Sequence, residues 1–94
     1  MILKYEDEIV TIIHKHLPGS KIYLFNLEYK KEEEADIAID FGSTINPAIM
    51  GNIYSDIKKE LFPIIFHIID LNNATNNYRE KILNQGAVLH LGNL

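Results

Sequence analysis

Apolar residues fall at Tyr5, Ile9, Ile12, Ile13 and Leu17, the spacing of one helix face, and Pro18-Gly19 ends the run. Lys21 to Phe25 is β-branched and aromatic and predicts a strand. Asn26 to Glu34 is polar and charged, a connection. From Ala35 to Phe41 the chain alternates, with Ile37, Ile39 and Phe41 on one face and Asp36, Ala38 and Asp40 on the other. After a loop from Gly42, Asn46-Pro47 offers an N-cap and a proline at the first helical position. Ile49, Ile53, Ile57 and Leu61 then form a helix face, with Lys58-Lys59 near the C-terminus. Pro63 resets the chain. Ile64 to Asp70 predicts a third strand, apolar on both faces, and Leu71 to Asn77 an Asn-rich loop. Tyr78 to Gln85 reads as a short helix closed by Gly86, and Ala87 to Leu91 as a short apolar tail able to form a fourth strand.

The first two strands are joined without a helix and are expected to pair antiparallel. The second and third are joined through one and are expected to run parallel. The fold class is therefore α+β: a small mixed sheet, core strand order first–second–third, with flanking helices. Residues 1–94 read as a single domain, with no internal repeat and no linker. In that order the third strand lies at an edge of the core sheet and is nearly all apolar. Charge or proline normally blunts such an edge. A cover is expected: the tail Ala87 to Leu91, or another chain.

Composition narrows the function. Net charge is −4 and Arg79 is the single arginine. The one local basic pair, Lys30-Lys31, runs straight into Glu32-Glu33-Glu34, so direct binding to nucleic acid is not expected. The absence of cysteine excludes a disulfide framework and suits a reducing cytoplasm. The N-terminal residues lack the basic-then-apolar pattern of a secretion signal, and no apolar run is long enough to cross a membrane.

The succession of a helix, KIYLF, a polar loop, ADIAIDF, a helix, FHIIDL and YREKILNQG resembles the minimal nucleotidyltransferases, small relatives of the DNA polymerase β catalytic domain. The likeness runs from about Tyr5 to Leu91. Leu24-Phe25, Asp36-Ile37, Ile68-Ile69-Asp70-Leu71, Ile82 and Gly86 match its framework. In that family the first strand ends in Leu-Phe-Gly-Ser, the second carries Asp-x-Asp, and the third adds another Asp. The physical purpose is clear: two magnesium ions need hard oxygen ligands, and carboxylates one residue apart on a strand face the same way.

This chain departs from the motif where the chemistry lies. Asn26-Leu27 stands at the Gly-Ser position. Asp36 matches the first carboxylate of the strand pair, Ala38 its partner, and His67 the third-strand Asp. Asp40 shares a face with Asp36, but four residues along a strand span about 13 Å, too far to hold one ion together. Asp36 is then the only surviving ligand position. No catalytic, nucleotide-binding or metal-binding residue is expected, and Mg2+ and ATP enter only under an enzymatic alternative. Asp36, Ala38 and His67 are expected together at one end of the sheet.

What the resemblance implies is an interaction protein: a non-catalytic partner of a helical HEPN-family chain, as antitoxin to a ribonuclease-type toxin, with a homo-oligomer as the other arrangement. The alternative is a metal-dependent enzyme moving a nucleoside monophosphate from ATP to a protein. A third is a nucleotide-binding module without turnover. Ordinary readings stand beside these. Asp36 is leftover architecture, and His67 a partly buried histidine. His14 and His16, two apart on a helix, do not form a metal pair. His90 is an exposed tail residue, Lys30 to Glu34 a solvated loop, and Asn72, Asn73, Asn76 and Asn77 turn formers.

Overall fold

The computed structural model describes residues 6–25, 34–85 and 87–90. Helix α1 is Glu6–His16 and strand β1 Lys21–Leu24. Strand β2 is Glu34–Asp40, helix α2 Pro47–Leu61 and strand β3 Ile65–Asp70. A turn of 3-10 helix, Leu71–Asn73, leads to α3, Asn76–Gln85, and to β4, Ala87–His90. The sheet order is β3-β2-β1-β4. As the connections required, β1 and β2 are antiparallel and β2 and β3 parallel. The tail residues do form a strand, but β4 pairs antiparallel with β1, on the far side of the sheet from β3. The expectation that the tail might cover the third strand is thus corrected.

Alternation along the strands divides the interior into two unequal cores. On one face, Ile22, Leu24, Ile37, Ile39 and Phe66 meet Ile9, Ile13 and Leu17 from the α1 side and Ile53, Ile57 and Leu61 from α2. On the other, Tyr23, Phe25 and Ala38 pack with Leu71 and with Ile82 of α3. Phe25 and Tyr78 meet edge-to-face with ring centres 6.1 Å apart.

Local chemistry fixes the element ends. The Asn46 side chain accepts from the Ala48 amide at 2.8 Å, and Pro47 follows at the first helical position, as the sequence anticipated. β2 stops one residue earlier than its alternation suggested. The Asp40 carboxylate turns back to accept from the Gly42 amide at 3.0 Å, and Gly42 takes φ +89°. Phe41 therefore leaves the sheet and is exposed, not aligned with Ile37 and Ile39. The Asn-rich segment is also more ordered than a loop. Asn76 and Asn77 lie in the first turn of α3, where the Thr75 hydroxyl accepts from the Tyr78 amide at 3.4 Å. β3 is apolar, yet Ile65 on its outer side is 57% exposed. Among the described residues no helix is long and apolar enough to cross a membrane.

A polar contact ties α1 to α2: His16 Nε2 lies 2.7 Å from Asp56 Oδ2. This hydrogen bond holds the Asp56 carboxyl below its ordinary value of 3.8 against the opposing effect of desolvation, with help from the charges of His16, Lys15 and Lys59. A lowered folded-state pKa means the stabilisation is full above pH 3.8 and drains away as pH falls through the folded value. Asp56→Asn should therefore unfold at lower urea than the native chain at neutral pH, with the gap closing in acid. A gap that persists or widens well below pH 3.8 would show that the contact does not stabilise through the carboxylate.

Candidate functional site

Asp36 and His67 lie toward the end of the sheet where β1 finishes and the parallel strands β2 and β3 begin. Asp36 on β2 sits in register with His67 on β3. Parallel neighbours in register lie about 4.8 Å apart and point to the same face. Asp36 is 7% exposed, whereas His67 is open to solvent. The Phe25 amide donates to the Asp36 carbonyl at 3.1 Å, continuing the β1–β2 ladder past the end of β1. Ala38 follows two residues along β2, in register with Tyr23 and Ile69. It is fully enclosed in the smaller core. Asp36 and His67 are thus direct neighbours, while Ala38 lies further along the strands, beside the Ile39–Asp70 pair, so the three do not all sit at one end. Asn26 and Leu27, at the Gly-Ser position, lie outside the described residues.

Asp40 does not join them. It pairs with Lys21 at the opposite end of β2 and accepts from the Asn72 side-chain amide at 2.8 Å as well as from Gly42. Asp70, also at that far end, accepts from the Ile45 amide at 2.7 Å and the Asn72 amide at 3.0 Å. Both carboxylates hold turns together. β2 begins at Glu34, in register with Ile65, so the solvated connection expected over Lys30 to Glu34 gives way to strand at its last residue.

The donor set suits a two-magnesium centre poorly. Magnesium takes oxygen ligands in near-octahedral geometry, and imidazole at the His67 position offers nitrogen. Among the described residues no three histidine or carboxylate side chains converge as a metal site. Tyr23, beside Ala38, is not a base: burial and the nearby Asp40 charge raise its pKa above 10.0, with Arg79 acting in the opposite sense. The remaining histidines are used structurally. His14 Nε2 lies 2.9 Å from the Ser20 carbonyl oxygen, and His16 contacts Asp56. The His90 side chain lies outside the described residues. A groove of about 470 Å3 lined by Asp7, Glu8, Thr11, Ile12, Lys15 and Glu60 runs between α1 and α2, on the opposite face of the sheet from Asp36.

No protein-family model matches the chain, and no curated protein does. Solved structures do. A toxin–antitoxin MntA–HepT complex, in a variant with two aspartate-to-glutamate changes two positions apart, superposes with a TM-score of 0.75 at 21% identity, over 89% of this chain and 70% of the other. A toxin–antitoxin structure with AMP-PNP gives 0.73 at 20% identity, over 89% and 71%. A complex of the tri-AMPylated Shewanella oneidensis HEPN toxin with its MNT antitoxin gives 0.72 at 21% identity, over 89% and 67%. The fold is that of an MNT antitoxin. Helices α1 and α2 on one face of a mixed sheet, with α3 on the other, are the MNT-like framework anticipated from the strand motifs.

Proposed function

We propose that this chain is a non-catalytic, MNT-like interaction protein acting in the cytoplasm, which binds and masks a helical HEPN-type partner. The observation that carries this reading is the pairing of Asp36 with His67 where the family sets carboxylate beside carboxylate. Without that second oxygen donor on β3, a pair of magnesium ions would have to give up water for too few ligands. The fold survives while the site has changed, which is the outcome expected when binding is retained and transfer is not. The solved complexes of this fold, with toxin and with a HEPN toxin in particular, support a protein partner of that kind.

A second reading, the enzymatic alternative with Asp36 as the remaining ligand, is kept in view by AMP-PNP in a structurally similar protein. The test is the purified chain with magnesium, labelled ATP and a HEPN protein encoded beside it. Co-elution of the two proteins without label on the partner is the expected result. Magnesium-dependent labelling abolished by Asp36→Ala would establish the second reading. Failure of the two proteins to associate would remove the first.

A further inference from the structure

β3 is the outermost strand of the described sheet, and no other described strand pairs with its free edge. The edge lacks the usual protections. Residues 65–69 read Ile-Phe-His-Ile-Ile, and the β2–β3 register runs unbroken from Glu34↔Ile65 to Ile39↔Asp70, so no bulge twists the edge away. Apolar groups flank it as well. Tyr54 of α2, 42% exposed, stacks on Phe66 with ring centres 4.8 Å apart, and Phe62 just before the strand is 76% exposed.

What satisfies a row of backbone donors and acceptors is another extended strand. A helical partner of the kind proposed above has its backbone groups already paired within its helices and cannot supply one. A second copy of this chain can, because β3 is complementary to itself. We propose that the protein forms a two-fold dimer by antiparallel β3–β3 pairing centred on His67, joining two four-stranded sheets into one. A two-fold axis normal to the sheet sets each face of one strand beside the same face of its twin. Centred on His67, it brings Ile65 opposite Ile69 and Phe66 opposite Ile68, each pair occurring twice. Within residues 65–69 every cross-strand neighbour apart from the central histidines is then apolar, and Asp70 falls opposite Ile64 at the rim of the ladder. Other centres are worse. Shifting to Ile68 draws Asp70 inward, against Phe66. Shifting to Phe66 sets Ile69 against Pro63, which has no N–H to donate.

The proposal is independent of whether the Asp36 site turns over, and the chain's composition makes it easy to test. There is no native cysteine, so His67→Cys carries a single thiol. Directly opposed antiparallel residues have Cα atoms about 4.5–5.5 Å apart, within the roughly 4.4–6.8 Å that a disulfide spans. Mild oxidation should convert His67→Cys to a covalent species of twice the 10.8 kDa chain mass. Ile65→Cys alone should not crosslink, since its two thiols lie about 13 Å apart along the seam. A mixture of Ile65→Cys and Ile69→Cys should. By sedimentation the native chain should run as a dimer and Ile65→Lys as a monomer with an unchanged circular dichroism spectrum. A native chain that stays monomeric at high micromolar concentration overturns the proposal. So does a dimer that survives Ile65→Lys while His67→Cys resists crosslinking, which would assign the dimer to another surface and leave the edge to a different partner.

Discussion

Ile37→Ala is expected to bring this domain close to unfolding at ordinary temperature. Ile37 lies in β2, between β1 and β3, is fully buried, and contacts the larger core. Truncating a buried isoleucine to alanine costs about 2–5 kcal/mol, because transfer energy is lost and a cavity remains. Native domains have only about 5–15 kcal/mol in total, and one of this length sits toward the low end. At about 4–8 °C per kcal/mol for a domain of this size, the melting temperature should fall by roughly 8–40 °C. Leu83→Ala is the comparison, since Leu83 on α3 is 42% exposed and should change stability by less than about 0.5 kcal/mol. Thermal melts followed by circular dichroism decide it. Equal shifts in the two variants would contradict the account of the core.

Asp70→Ala is the second large effect. One carboxylate closes two connections: the Ile45 amide donates to one oxygen at 2.7 Å, the Asn72 amide to the other at 3.0 Å. The first bond fixes the segment leading into α2, and the second starts the turn after β3. Hydrogen bonds to charged groups are each worth about 1.5–3 kcal/mol, and loss of both acceptors should cost roughly 2–4 kcal/mol after water enters the partly exposed site. Asp70→Asn keeps one acceptor oxygen and should lose about half as much. Urea unfolding midpoints in the order native, Asp70→Asn, Asp70→Ala are expected. A midpoint for Asp70→Ala equal to the native value would mean that these bonds stabilise nothing.

Much of this architecture was legible in the chain because apolar periodicity governs it. The isoleucine spacing in α1 and α2 and the alternation in β2 each bury one face, and burial admits few registers. The family framework followed from the same residues, since Leu24-Phe25 and Ile68-Ile69-Asp70-Leu71 are core and turn positions. What was not legible depended on side-chain bonds between distant residues. The turn of Asp40 onto Gly42, which expels Phe41, leaves no hydrophobic signature. Nor does the grip of Asp70 on Ile45, or the promotion of Asn76 and Asn77 from loop to helix by Thr75. The site was half legible. Pairing of Asp36 with His67 follows from parallel strands, but the start of β2 at Glu34 was hidden in the charged run before it. Which edge β4 would join could not be read from four residues without a pattern of their own.

That last placement has a consequence for how the molecule opens. Among the described strands β4 pairs only with β1, so residues 22–24 are paired with residues 87–90 across almost the entire intervening chain. Closing a loop of that length costs entropy, and a short ladder, with a shifted register at Ile22/Tyr23, together with contact to α1, offsets it. β2, by contrast, is bound on both sides by strands that are nearer in sequence. The β1–β4 seam is therefore where brief local opening concentrates. Its amides should take up solvent deuterium first, while β2 should give up its protons only when the whole molecule comes apart.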